Sequence, residues 1–344
     1  MASRRIKMAI KRIILLLMVI GLFTSCVTQP AKYVTYVPDT VTVFEVIGTE
    51  IQYLDIPKDN NIEVLSLTNC GLDRIPSSVK RCKYLKRLHL ERNQIKHIPK
   101  WISSLDSLVE INLNFNQLRL SKSDIRHLSK VQQILIGGNG LEKLPRNIGH
   151  LHCESLNLGM NKLHSLPVSF ARLNSMKSLI FYENDFDEIP EVLAGFKNLK
   201  HLDFYKNNID EIPDFVGDME NLQQLFLSFN KIGVIPDTLR NLKRLKYFYI
   251  HHNELHFLPE WIAEMDSIER LGVGYNHLLD LPDLSKMKSL KEFDCEHNLL
   301  ERFPWEIVEK ADMELIVVRD NDFIFTDEEK VKLNKASKII NLVY

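Results

Sequence analysis

From residue 62 onward, apolar side chains recur with a fixed frame. In Leu85-Lys-Arg-Leu88-His-Leu90-Glu-Arg-Asn93-Gln-Ile95-Lys-His-Ile98-Pro99, Leu88 and Leu90 alternate with polar neighbours. Period-two alternation predicts a short strand, with Leu88 and Leu90 on one face and His89 and Glu91 on the other. The same frame returns at Leu199-Lys-His-Leu202-Asp-Phe204-Tyr-Lys-Asn207-Asn-Ile209-Asp-Glu-Ile212-Pro213. Twelve such starts fall at residues 62, 85, 108, 131, 153, 176, 199, 222, 245, 268, 290 and 313, nine steps of 23 residues and two of 22. A strand this short cannot bury its apolar face alone, but stacked copies can. A chain of 344 residues built this way needs no large central core.

Two positions punctuate the frame. The ninth is Asn in eleven repeats, from Asn93 to Asn321, and Cys70 in the first. A buried amide there pairs with backbone groups in the bend after the strand. Ten of the thirteen prolines follow the last apolar residue of the frame, so each ends the bend and starts a return segment. The third repeat has Leu120-Ser121-Lys122 in place of apolar-Pro, which predicts a differently shaped return segment.

The frame resembles the leucine-rich repeat, LxxLxLxxNxLxxLP, over about 62–326. The resemblance implies an α/β fold, a horseshoe-shaped solenoid with a parallel concave sheet and short helical or irregular convex segments. Exposed ends of such an array need caps. Residues 41–61 read as an N-terminal cap containing a degenerate half-repeat, and 327–344 as a C-terminal cap. In the latter, the acid-first, lysine-later run from Asp327 suits a short helix, and Ile339 to Tyr344 a closing strand.

The first 25 residues hold five basic side chains and no acid, with an apolar run from Ile13 to Phe23. Eleven helical residues rise only about 16 Å, half a bilayer core, which predicts a signal peptide over 1–25 instead of a membrane span. Thr24-Ser25-Cys26 resembles the lipobox of bacterial lipoproteins, with Phe23 departing from the commoner Leu. That resemblance implies cleavage before Cys26, acylation of Cys26, and an acylated tether over 26–40 holding the protein on a membrane. Val27, where Asp would mark inner-membrane retention, implies the outer membrane of a bacterial cell envelope.

Without the leader, 39 basic side chains face 45 acidic ones, a net charge of −6. A mildly acidic chain with no basic run does not suit nucleic acid. Cys70, Cys82, Cys153 and Cys295 stand at inward positions and read as small hydrophobes; a bridge between Cys70 and Cys82 stays open. The run His251-His252-Asn253-Glu254-Leu255-His256 crosses a bend, not one helix face, so no metal site is assigned. No phosphate loop, nucleophile elbow or triad pattern is evident, so the sequence reads as non-enzymatic and requires no cofactor.

The outward strand positions carry the functional signal. Large rings gather in repeats six to nine and their margins: Tyr182, Tyr205, Phe226, Phe229, Tyr247, Tyr249, His251, His252 and Tyr275. Gly137, Gly138 and Gly159 precede the cluster, and Gly272 and Gly274 follow it, which predicts a raised aromatic patch between two shallow depressions. Exposed aromatic patches mark interaction surfaces. The expected partner is a protein or peptide. A glycan or cell-wall polymer is the alternative, since Tyr faces beside Asp203 and Glu183 also suit sugars, and a hydrolase is a remote third reading.

Overall fold

The computed structural model describes residues 37, 41–51, 53–310, 312–336 and 341–343. The chain falls into two compact units: residues up to Gly140 with His150–Cys153, and Leu141–Gly149 with Glu154–Tyr344. The leader, the lipobox with Cys26 and the tether expected over 1–40 lie outside the described residues, apart from Val37. Among the described residues no helix is long and apolar enough to cross a membrane.

The first unit holds five strands, β1 (Val43–Ile47), β2 (Val64–Thr68), β3 (Arg87–His89), β4 (Glu110–Asn112) and β5 (Gln133–Leu135). Each pairs with the next in parallel, in a register that stacks Leu65, Leu88, Ile111 and Ile134. β1, from the segment expected to cap the array, pairs in the same sense with β2. The return segments Ser77–Arg81 and Lys100–Ser104 are 3-10 turns entered from Pro76 and Pro99. Proline fixes φ and donates no hydrogen bond, so it ends the strand and suits the entry to a single tight turn.

The third return segment has no proline and forms α1 (Lys122–His127) instead. Its start is a capping box: Asp124 N–H donates to Ser121 Oγ at 3.3 Å, while Asp124 Oδ2 accepts the Ser121 N–H at 2.8 Å. Buried Asp124 also accepts the Ile98 N–H at 2.8 Å, tying the helix to the preceding repeat.

The second unit carries β6 (Ser155–Asn157), β7 (Ser178–Ile180), β8 (His201–Asp203), β9 (Gln224–Phe226) and β10 (Tyr247–Tyr249), then β11 (Arg270–Gly272), β12 (Glu292–Asp294), β13 (Leu315–Val317) and β14 (Asn341–Val343). Neighbours again pair in parallel in chain order. The middle residues, from Leu156 through Phe248 to Ile316, are buried, while most residues beside them are half-exposed. Phe181, Phe186 and Phe204 thicken this core, with centroids 4.9–5.4 Å apart. The return segments are 3-10 turns until α2 (Trp305–Val308), and α3 (Asp327–Ala336) follows the last repeat.

The asparagine ladder closes each bend onto its neighbour. Asn253 Oδ1 accepts the Ile232 N–H at 2.9 Å, and its Nδ2 donates to Leu227, Ile250 and His251 carbonyls at 3.0–3.1 Å. One side chain thereby satisfies four backbone groups in two repeats, three of them buried. The residue just before the ladder is left-handed in all twelve repeats, with φ of 50–59° at eleven non-glycine positions and 66° at Gly138. Each non-glycine residue there costs about 1–2 kcal/mol, a strain that the amide pairs on the following residue hold in place.

The four described cysteines are free and buried, so Cys70 and Cys82 form no bridge. Cys70, in the ladder position, donates its thiol to the Val46 carbonyl at 3.3 Å. Burial pushes the Cys82 and Cys153 thiols up to about 12, which makes them poor nucleophiles.

Candidate functional site

On the outward face of the second unit, seven of the nine predicted residues line one shallow depression of about 450 Å³: Tyr205, Phe226, Phe229, Tyr249, His251, His252 and Tyr275. Asp203, Ser228 and Glu296 complete the lining. β8, β9 and β10 set the floor through their last residues, because Asp203, Phe226 and Tyr249 are in register. Phe226 and Tyr249 lie with centroids 5.3 Å apart at 36°, and His201 meets Phe226 edge-on at 5.1 Å.

The left-handed bend residues form one wall. Phe229, His252, Tyr275 and His297 stack face to face, at centroid separations of 3.9, 3.9 and 4.0 Å and interplanar angles of 11–21°. These separations are smaller than the ~4.8 Å between parallel strands, so the rings lean together. Tyr205 extends the wall, meeting Phe229 edge-on at 5.2 Å. Burial, then the neighbouring His251 and His297, lower the His252 imidazole from its usual value, which favours the neutral ring in the stack.

Tyr182 and Tyr247 stand apart from the depression. The Tyr182 ring lies over Gly159, where any Cβ would collide with it. Tyr247 receives the Arg270 guanidinium over its face at 5.2 Å, and Arg270 pairs with Glu292 at 3.2 Å.

The glycines thus correct one expectation. Gly159 and Gly272 do not open depressions beside the patch, because the Tyr182 and His251 rings fill the space above them. The same happens in the first unit, where Phe115 covers Gly138. The concavity lies among the aromatic residues themselves.

Gly272 explains a connection that sequence reasoning missed. With no side chain in the intervening repeat, the His251 imidazole crosses to Asp294, Nε2 to Oδ2 at 3.2 Å. Its Nδ1 lies 3.3 Å from Ser228 Oγ. Ser, His and Asp in one chain invite comparison with a hydrolytic triad, but the roles differ. Ser228 is 5% exposed, and its Oγ accepts the His251 backbone N–H at 3.1 Å. With Nε2–H donating to Asp294, Nδ1 receives the serine proton, so the network fixes the ring in position. Ser228 and His251 share one column in successive repeats, which was the available signal. The crossing to Asp294 depends on which way a ring leans, and spacing does not encode that.

Electrostatically the lining is acidic. Burial pushes the Asp203 carboxyl up from 3.8 to about 6, against the pull of the Tyr205 N–H, which donates to Oδ1 at 2.8 Å. Burial likewise lowers His201 and raises Tyr249. Among the described residues no group of three or more His, Cys, Asp or Glu is placed to hold a metal.

Comparison with known proteins agrees with this architecture. Leucine rich repeat family models match residues 60–118, 198–219 and 221–242. Leucine-rich repeat-containing protein 58 of Xenopus tropicalis is 28% identical over 120 residues, 33% of this chain and 34% of that protein. The chain spans about a third or less of the length of the first curated relatives it matches. Among solved structures, a leucine-rich repeat protein of Leptospira interrogans superposes with a TM-score of 0.73 at 24% identity, covering 89% of this chain and 90% of that one. An internalin of Listeria monocytogenes gives 0.72 at 21%, covering 89% and 87%. A plant peptide hormone receptor, solved in complex with RGF2, gives 0.52 at 26%, covering 86% and 58%. With its twelve-fold frame, its asparagine ladder and its parallel strands, the chain has the fold of a leucine-rich repeat solenoid, and leucine rich repeat models match parts of it.

Proposed function

We propose that the protein is a non-catalytic, membrane-anchored lipoprotein that binds a protein or peptide through the ring-lined face of its second unit. The observation that carries this reading is the depression of about 450 Å³ lined by rings from consecutive repeats. Its volume falls within the ~300–1,000 Å³ of ligand sites, and half-exposed aromatic side chains are the usual anchors of recognition. Tyr205, Phe226 and Tyr249 are each partly exposed, so a ligand has apolar surface left to cover. The similarly folded plant receptor carries a bound partner in its structure, which fits the same use here. Anchoring through an acylated Cys26, in the outer membrane of a bacterial envelope, rests on the lipobox resemblance.

A displayed random-peptide library panned on the purified protein tests the reading, with retention on polysaccharide resins measured in parallel. The expected result is peptide enrichment that is lost with Phe226→Ala. Polysaccharide retention with no enriched peptide would transfer the face to the glycan alternative.

A further inference from the structure

The depression is chemically one-sided. No lysine or arginine lines it, while Asp203 and Glu296 do. Glu296 is already matched by Arg319, and Asp294 below it is engaged by His251. Asp203 is in a different position. Its cross-strand neighbours in register are Ile180 and Phe226, neither of which carries a charge. Lys206, the residue after Tyr205, is turned to Glu183 at 3.3 Å. Arg270 is engaged by Tyr247 and Glu292 and donates to the Tyr249 hydroxyl, away from Asp203. The carboxylate accepts the Tyr205 backbone N–H at 2.8 Å. A desolvated carboxylate without a counter-charge is unfavourable, and a cation brought to it relieves that penalty.

We propose that the depression seats a basic side chain of the bound peptide, arginine in preference to lysine, stacked on the Phe226 and Tyr249 rings and paired with Asp203. This rests on the reading of the face as a peptide site. Ring faces are negative and attract cations. The guanidinium is planar, more weakly hydrated than an ammonium, and suited to stacking and carboxylate pairing together. Phe226 is in register with Asp203, and the Tyr249 ring lies 5.3 Å beyond it, tilted by 36°.

The test uses three N-acetylated, amidated tripeptides, Gly-Arg-Gly, Gly-citrulline-Gly and Gly-Leu-Gly, titrated into fluorotyrosine-labelled protein and followed by fluorine NMR. Citrulline keeps the shape of arginine without its charge. The arginine peptide should shift the Tyr205 and Tyr249 resonances saturably, and the citrulline peptide should bind about tenfold or more weakly. Asp203→Asn, with its remaining resonances unchanged, should shrink the difference between the two, leaving only the part that the rings supply. Equal binding of arginine and citrulline peptides, or an arginine preference undiminished in Asp203→Asn, overturns the proposal. If all three peptides bind and all are lost with Phe226→Ala, the cation claim falls while the peptide site stands. If none binds, the cation claim also falls, and library panning decides the peptide site separately.

Discussion

Replacing Asp203 by asparagine isolates the cost of holding a charge among rings. Asparagine keeps an acceptor oxygen for the Tyr205 N–H and carries no charge. Burial raises the carboxyl from 3.8 to about 6 in the native chain. Between those pH values the native state holds a proton that the unfolded chain has released, so stability falls as pH rises through this window. At ~1.4 kcal/mol per pH unit, ionised Asp203 costs the fold roughly 2–3 kcal/mol above the window. Asp203→Asn should therefore raise stability by about that amount near pH 7.5, with the gain shrinking below about pH 6 and vanishing near pH 4. Urea melts at a series of pH values, read by midpoint at unchanged slope, give the difference directly. A gain independent of pH, or a variant less stable than the native chain near pH 7.5, would refute the reasoning.

Other substitutions probe the ladder, the packing over glycine and the anchor. Asn184→Ala leaves the Leu163 N–H and the Leu158, Phe181 and Tyr182 carbonyls without their partner, so denaturant melts should show a loss of roughly 1–3 kcal/mol. The half-exposed Asn207 should cost less, and Lys200→Ala should stay within about 0.5 kcal/mol; three equal values would contradict the ladder. Gly272→Ala puts a Cβ where the His251 ring lies and should cost about 1–3 kcal/mol by overpacking, whereas Gly233→Ala meets nothing closer than the Glu254 carbonyl at 3.9 Å and should be near neutral in the same melts. Cys26→Ala should abolish partition of the expressed protein into a detergent phase, and equal partition of variant and native chain would rule out the lipid anchor.

Backbone features that depend on repetition were legible in the order of residues alone. Leu88 with Leu90, the Asn column and the Pro column follow from side-chain alternation and from backbone pairing, both of which leave periodic traces. Even the exception at Ser121 was marked by its missing proline, and its capping box with Asp124 explains the helix that results. The ring cluster was visible too, since Tyr205, Phe226 and Tyr249 occupy outward columns. What spacing could not give was the direction in which each side chain leans. Tyr182 covers Gly159 and His251 crosses Gly272, so two apparent gaps are filled. The left-handed backbone was equally hidden, because Phe229 and Tyr275 are residue types that rarely adopt it. The stacking of these two rings with His252 follows from that shared conformation repeated in adjacent bends.

The central claim is that binding energy concentrates on the rings of the second unit. The most direct measurement compares retention of panned peptides on Phe226→Ala and Tyr249→Ala with retention on His89→Ala and Asn112→Ala, which alter the same strand position in the first unit. His89 pairs with Glu110 at 2.9 Å, and Asn112 accepts the Asn114 N–H at 3.0 Å, so neither control touches the depression. Each ring substitution should weaken retention about tenfold or more, with melting nearly unchanged, while both controls bind as the native chain does. Controls that abolish retention while the ring variants keep it would place the site on the first unit and contradict the claim.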